Sequence, residues 1–180
     1  MDKGKNIFRL DWFARIDYLC GKETTYTKHN DVTAKRLHME NLPNMPEHIF
    51  PFRVPLSLID TGGVIYNGRY FDIYNQARDE HMRDCGYPYT RLNSEAECHL
   101  AVVDAAIQYK LPVFYDDLVE IVTGIDRIGS SSITFNQAMY KNGKELLCNR
   151  ARFVMVCTSA GFTARKIPKD LILALEKGPY

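Results

Sequence analysis

One long helical pattern followed by four strand patterns in a row constrains the fold of this chain most. Residues 67–85 repeat apolar side chains every three to four positions, as a helix that is covered by other structure does. The strand-like segments that follow are joined by connections too short to contain helices. Because parallel strands need long crossover connections, these strands must pair antiparallel. The order predicts an α+β fold in which one curled antiparallel sheet of about five strands wraps around a long central helix.

The boundaries of the strands follow from apolar patterns and turn residues. Residues 49–58 form an extended segment interrupted by Pro51 and Pro55, which suits an edge strand. The later strands are predicted over residues 98–109, 118–127, 131–140 and 145–158. The last two flank Asn142-Gly143, a strong hairpin signal, and a short helix over residues 168–177 closes the chain. Since half of a curled sheet leaves an exposed edge, we expect two copies to pair edge to edge.

Residues 1–48 are predicted to form an N-terminal extension to a domain over residues 49–180. Apolar side chains at helical spacing indicate a short amphipathic helix from about Asn6 to Cys20, and a polar linker containing Pro43 and Pro46 follows it. This helix docks on the main domain, contacts a partner or a membrane surface, or belongs to an address segment. The sequence leaves these alternatives open.

Composition excludes several classes of function. The 23 basic residues nearly balance the 22 acidic ones, so the chain lacks the basic character of a nucleic-acid-binding domain. The five cysteines form no C-x-x-C pair, which favours a reducing compartment, and the histidines and cysteines lack metal-ligand spacing. No apolar run approaches the roughly 18–20 residues that span a bilayer. We therefore expect a soluble cytoplasmic protein without a metal or other cofactor.

The most informative candidate for chemistry is Asp60. It precedes a turn loosened by Gly62-Gly63, and the turn leads into the predicted helix at Asn67. A helix N-terminus offers unpaired N–H groups and a partial positive charge. A carbonyl placed between those donors and the carboxylate would be polarised from one side and open to attack from the other. Such a carboxylate is more often a cap or a solvated turn residue, but Asn67 is the better-placed cap here.

A basic stretch and a serine cluster are weaker candidates. Seven basic residues and one acid lie between Lys141 and Lys169, as on a solvated strand face or in a site for a phosphate-bearing ligand. Ser130-Ser131-Ser132 opens a strand, where hydroxyls usually solvate a turn but can also bond a ligand amide. The G-x-S-x-G elbow of serine hydrolases and the glycine-rich nucleotide loops are missing from the sequence.

Together these elements resemble the signature of hotdog-fold acyl-CoA thioesterases, in particular the 4-hydroxybenzoyl-CoA thioesterase-like family. The segment that carries the resemblance reads Asp60-x-x-Gly63-Val64-x-Tyr66-Asn67-x-x-Tyr70. Further matches are Tyr115-Asp116-Asp117, Ile128-Gly-Ser-Ser-Ser-Ile-Thr-Phe135 and Arg165-Lys166-Ile167-Pro168. The similarity covers roughly residues 49–176. In the members encoded with the Tol-Pal system a histidine commonly stands where this chain has Asn67, and the usual acid two residues before the catalytic carboxylate is here Leu58.

The resemblance implies a homodimer, or a dimer of dimers, with acyl-CoA sites at the subunit interface. Asp60 then corresponds to the catalytic nucleophile or general base, and the N–H of Asn67 to the donor that polarises the thioester carbonyl. The residues that we expect to bind substrate are Gly63, Val64, Tyr66, Tyr70, Ser131, Arg165 and Lys166. Two alternatives stay open: a thioesterase acting on acyl-carrier protein, and an acyl-CoA-binding or scaffolding dimer without catalysis. A dehydratase is disfavoured because the segment entering the helix contains no histidine.

Overall fold

A computed structural model describes residues 46–180, and in them five antiparallel strands form one sheet in the order β1-β3-β4-β5-β2. The strands are β1 (His48–Arg53), β2 (His99–Tyr109), β3 (Leu118–Ile128), β4 (Ser132–Lys141) and β5 (Leu146–Thr158). The helices are α1 (Arg69–Asp84), α2 (Tyr89–Glu95) and α3 (Lys169–Lys177). The predicted antiparallel sheet is confirmed. The predicted N-terminal helix and its linker lie outside the described residues.

Helix α1 packs on the sheet through aromatic and apolar side chains. The rings of Phe71 and Tyr74 lie 6.0 and 5.9 Å from the ring of Phe153 on β5. One cluster of buried side chains surrounds the N-terminal half of α1. A second cluster joins the C-terminal end of α1 to α2, α3 and the opposite end of the sheet. Burying each large apolar side chain contributes about 1.5–3 kcal/mol, so both ends of the helix are firmly held.

A buried polar network fixes α1 against β3 and β4. The Arg78 side chain donates from Nη1 to Gln137 Oε1 at 2.7 Å, and its guanidinium lies 4.0 Å from the centre of the Phe153 ring. Gln137 Nε2 in turn donates to Thr123 Oγ1 and to the backbone carbonyl of Tyr74. Buried polar groups stabilise only when they are paired, so this network restricts how the helix can sit on the sheet.

The start of α1 and the helix after it differ from the sequence predictions. Helix α1 begins at Arg69, with Gly68 rather than Asn67 at the N-cap and no capping side-chain hydrogen bond. The Arg69 N–H instead bonds to the Tyr66 carbonyl at 2.9 Å, so a tight turn precedes the helix. Helix α2 was not predicted, because its seven residues are too few for a clear apolar period.

Two cysteines are joined, in contrast to the free thiols expected of a reducing compartment. Cys98 and Cys157 form a disulfide with their Cα atoms 5.9 Å apart. They are 59 positions apart in the chain, and pairing of β2 with β5 brings them together. Cys85 is a buried free thiol, and Cys148 is also buried. Within residues 46–180, every helix lacks the length and apolarity that crossing a bilayer requires.

Candidate active site

The Asp60 turn is a closed loop that holds its carboxylate in place. The Asp60 N–H bonds to the Val64 carbonyl at 2.9 Å, and the Gly63 N–H bonds to the Asp60 carbonyl at 3.0 Å. Gly63 has a φ of 78°, a conformation that side chains disfavour. The half-buried carboxylate accepts the Gly62 N–H at Oδ1 over 2.7 Å. Its Oδ2 has no protein donor within the described part of the chain, so that oxygen is available for chemistry.

Backbone donors lie a few residues further on, where the chain enters α1. The N–H groups of Asn67 and Gly68 have no acceptor among residues 46–180. The turn that contains them is closed by the Arg69 N–H on the Tyr66 carbonyl, and Tyr66 and Asn67 are both exposed. Unpaired donors at a helix N-terminus carry the positive end of the helix dipole, so this turn can stabilise negative charge on a ligand oxygen.

Two tyrosines connect the helix entry to the sheet. Tyr70 is 4% exposed, and burial, with contributions from Cys148, Tyr109 and Asp60, raises its pKa well above the usual value, so the phenol stays neutral. The Tyr109 ring on β2 meets the Tyr70 ring edge-on with centres 5.2 Å apart. The Tyr109 hydroxyl donates to the Asn67 carbonyl at 2.9 Å. Sequence reasoning missed Tyr109, because nothing local links it to a residue 42 positions away.

The structure divides the predicted site residues into two groups. Asp60, Gly63, Val64, Tyr66, Asn67 and Tyr70 gather at the N-terminal end of α1. The others lie at the opposite end of the sheet, where the Ser131 carbonyl accepts the Cys157 N–H and Arg165 contacts the chain just before β2. Because α1 has 16 residues, it spans about 24 Å, and the two groups are separated by roughly that length.

Two members of the second group, Arg165 and Lys166, line a cleft of about 800 Å³, whereas Ser131 does not. Lys166, Lys169 and Ser130 contribute polar groups to its wall, and Tyr87 and Ile172 contribute apolar ones. Arg165 Nη1 is anchored on the Glu97 carbonyl at 2.9 Å. The volume lies within the range of small-molecule sites. Asp60 does not line this cleft, so the carboxylate and the basic residues of one chain do not form a single pocket.

The chemistry available at the Asp60 end is attack on a polarised carbonyl. It offers a carboxylate oxygen, backbone N–H donors and a neutral buried phenol, while the described residues contain no group of three His, Cys, Asp or Glu side chains able to hold a metal. A carboxylate can act as nucleophile or as general base, and oriented donors stabilise the oxyanion that forms.

Comparison with known proteins identifies relatives that are named as thioesterases. The family model of the thioesterase-like superfamily matches residues 54–175. The acyl-CoA thioesterase YbgC of Haemophilus influenzae is 30% identical over 112 residues, covering 62% of this chain and 81% of that protein. The acyl-CoA thioester hydrolase YbgC of Escherichia coli O157:H7 is 30% identical over 124 residues, covering 68% of this chain and 91% of that protein.

Solved structures have the same fold. A probable thioesterase from Bartonella henselae superposes with a TM-score of 0.65 at 26% identity, covering 68% of this chain and 100% of that chain. A 4-hydroxybenzoyl-CoA thioesterase superposes with a TM-score of 0.67, covering 72% of this chain and 98% of that chain. At 18% identity the second match bears on the fold alone. The curled five-stranded sheet with its helices is therefore a hotdog fold.

Proposed function

Because this chain belongs to the thioesterase-like superfamily, we propose that it hydrolyses acyl-CoA thioesters to the free acid and coenzyme A. One observation carries the proposal: the Asp60 carboxylate and the unpaired N–H groups at the start of α1 lie in two consecutive hydrogen-bonded turns. A thioester carbonyl held there has donors at its oxygen and a carboxylate at its carbon. The relatives named as acyl-CoA thioesterases support this choice of substrate class.

In the proposed reaction the thioester oxygen accepts a hydrogen bond from the Asn67 N–H. Loss of one such donor typically costs roughly 10²–10³ in rate. Asp60 either attacks the carbonyl carbon, forming a mixed anhydride that water then hydrolyses, or removes a proton from the attacking water. In both routes the carbon–sulfur bond breaks and the thiolate leaves. Because a thiolate is a good leaving group, no strong acid is required, and Asn67 suffices where related enzymes carry histidine. Gly63, Val64, Tyr66 and Tyr70 line the acyl side.

Pairing of two copies through β2 would complete this site. Strand β2 is an edge strand in the described sheet, and its exposed apolar side chains include Val102 and Val103 at 48% and 60% exposure. An unpaired edge with apolar side chains is a natural template for a second strand. We propose that two β2 strands pair antiparallel in a homodimer, which can assemble further into a dimer of dimers.

The two ends of β2 carry the two halves of the predicted site. At one end Tyr109 bonds to Asn67, and just before the other end the Glu97 carbonyl accepts a bond from Arg165. Antiparallel self-pairing places the first end of one protomer beside the second end of its partner. Asp60 of one protomer would then meet Ser131, Arg165 and Lys166 of the other. The positively charged side chains of Arg165 and Lys166 are suited to binding the phosphates of coenzyme A.

Substitution of Asp60 tests the proposal. We expect Asp60→Asn and Asp60→Ala to lower kcat/KM by roughly 10²-fold or more on the best substrate of an acyl-CoA panel, because either change removes the nucleophile or base. Asp72→Asn is the matched control, since Asp72 is an exposed carboxylate on the first turn of α1 that pairs only with Arg69 among the described residues. A dimeric Asp60→Asn protein with wild-type activity would refute the mechanism.

The same panel separates the other candidate functions. If acyl-carrier-protein thioesters are hydrolysed faster than acyl-CoA thioesters, the acyl group of the substrate is carried by acyl-carrier protein. Tight acyl-CoA binding without turnover would indicate a binding or scaffolding dimer. We propose that residues 49–180 form the catalytic domain, with α1 as its central helix, and that residues 1–48 form an extension to it. A cytoplasmic location and membrane contact through the extension also stay predictions.

A further inference from the structure

We propose that Tyr109 is a positioning residue for this hydrolysis, because its hydroxyl holds the Asn67–Gly68 peptide in the orientation that presents the peptide N–H to the substrate oxygen. The inference rests on the proposed function and adds to it a second backbone donor, the Gly68 N–H, and the side chain that orients it. Tyr109 reaches the substrate only through this peptide.

The geometry of the peptide group connects the Tyr109 hydroxyl to the direction of the Gly68 N–H. The Tyr109 hydroxyl donates to the Asn67 carbonyl at 2.9 Å. That carbonyl and the Gly68 N–H belong to one planar trans peptide, in which the two groups point in opposite directions. A bond that fixes the carbonyl therefore fixes the direction of the N–H. It also polarises the peptide and strengthens the N–H as a donor.

The bond from the Arg69 N–H to the Tyr66 carbonyl closes the turn but does not involve the Asn67–Gly68 peptide itself. Within the described residues, the Tyr109 hydroxyl is the one donor to the Asn67 carbonyl, and the Asn67 and Gly68 N–H groups have no acceptor. No side chain caps the helix, and Gly68 has no side chain of its own to restrict it. The peptide is also exposed to water. Without the tyrosine hydroxyl it would have more freedom to rotate.

Tyr109 itself is well anchored. Its ring packs edge-on against Tyr70, whose own ring is buried in the core cluster around α1. Burial raises the pKa of Tyr109, so its hydroxyl is protonated and able to donate at neutral pH. The tyrosine thus connects the exposed turn before α1 to the end of β2.

Tyr109→Phe removes the hydroxyl and keeps the ring packing. We expect kcat to fall roughly 3- to 10-fold, the loss that one neutral hydrogen bond produces, while KM stays at the wild-type value. The effect falls on kcat because the donor matters most when negative charge develops on the oxygen. Tyr180→Phe is the matched control, since the Tyr180 hydroxyl also makes one hydrogen bond, with Lys177, at the far end of the molecule.

An NMR measurement reads the peptide directly and needs no substrate. The sequence contains two Asn-Gly pairs, Asn67-Gly68 and Asn142-Gly143. Labelling asparagine with carbonyl ¹³C and glycine with ¹⁵N therefore gives two HNCO signals. In Tyr109→Phe we expect the Asn67 carbonyl carbon to move upfield and the Gly68 N–H signal to shift, while the Gly143 signal from the distant hairpin stays in place.

The outcomes separate this inference from the proposed function. A shift of the Asn67–Gly68 signal together with lowered kcat and unchanged KM supports the inference. An unshifted signal, or a shifted signal with wild-type kcat, overturns it. If Asp60→Asn retains full activity, the proposed mechanism fails, and the HNCO result still decides whether Tyr109 controls the peptide.

Discussion

Helix α1 carries several buried side chains with polar groups, and three of them, Tyr70, Arg78 and His81, lie in different surroundings. Tyr70 stays neutral near Asp60. Arg78 is 2% exposed and has neutral partners, Gln137 and Asn75, together with the face of Phe153. His81 is fully buried, and neither ring nitrogen has a hydrogen-bond partner in the described chain. Burial lowers the pKa of both Arg78 and His81, because it disfavours the charged form of each side chain.

The partner of Arg78 can be removed to test the buried network. We expect Gln137→Met to lower the free energy of unfolding by about 2–4 kcal/mol, because it leaves the Arg78 guanidinium without its strongest acceptor inside the protein. Urea unfolding followed by circular dichroism measures the change. Gln76→Met, the same change at an exposed position on α1, should change stability by less than about 0.5 kcal/mol. Equal effects of the two substitutions would contradict this account.

His81 makes stability sensitive to acid. Burial, helped by the nearby His48, lowers the pKa of His81 to about 4, from the usual 6.5. Between these values the unfolded chain binds a proton that the folded chain rejects, so stability falls as the pH falls from 6.5 towards 4. The full loss amounts to about 3 kcal/mol. The other titratable groups that face His81 are His48, whose Nε2 lies 2.9 Å from Asp84 Oδ2, and Asp84 itself.

Removing the imidazole should flatten that pH dependence. We expect His81→Leu to lose less stability than the wild type between pH 6.5 and 4, since leucine binds no proton and packs against Phe135. Chemical unfolding at a series of pH values gives the comparison. The control variant is Met82→Leu, a volume-conserving change at a buried position of the same helix that removes no titratable group and should keep the wild-type slope. If His81→Leu keeps the wild-type slope, another group causes the acid sensitivity.

At the scale of elements, local sequence patterns predicted the secondary structure that depends on neighbouring residues. The α1 period, the Asn-Gly hairpin and the alternating strands were found to within one or two residues at most boundaries, because each depends on neighbouring side chains. Helix α2, the Cys98–Cys157 disulfide and the Tyr109–Asn67 bond were missed. The last two join residues far apart in sequence, and only the register of β2 brings them together.

The β4–β5 hairpin offers a test of turn conformation. Gly143 has a φ of 64° with no atom within 4 Å of an added Cβ, so only backbone strain opposes a side chain there. We expect Gly143→Ala to lower stability by about 1 kcal/mol. Gly161 lies in another loop without a positive φ, and Gly161→Ala should be neutral or slightly stabilising. Thermal unfolding of both variants measures the changes in stability. A Gly143→Ala variant as stable as the wild type would contradict this expectation and show that the turn relaxes.

At the scale of the whole molecule, the predicted site residues of one chain lie in two separate groups, and only one of them surrounds Asp60. The predicted site residues around Asp60 are close together in the sequence, because they lie in two consecutive turns and the first helical turn after them. The other predicted site residues, Ser131, Arg165 and Lys166, lie at the other end of α1. No pattern within one chain states which residues of a partner complete a site. The proposed β2 pairing accounts for both groups.

Subunit complementation tests that arrangement. We mix Asp60→Asn with a variant that combines Arg165→Ala and Lys166→Ala, allow the subunits to exchange, and assay at substrate concentrations well below KM. If Asp60 works with its partner's cations, each mixed dimer contains one site with every wild-type residue and one with none. Random exchange makes half of the dimers mixed, so about a quarter of wild-type activity should return. Mixing Asp60→Asn with Asp60→Ala restores nothing under any arrangement and is the control. No recovery, with exchange verified by native mass spectrometry, would mean that each site uses the residues of one chain, and the β2 pairing would have to be abandoned.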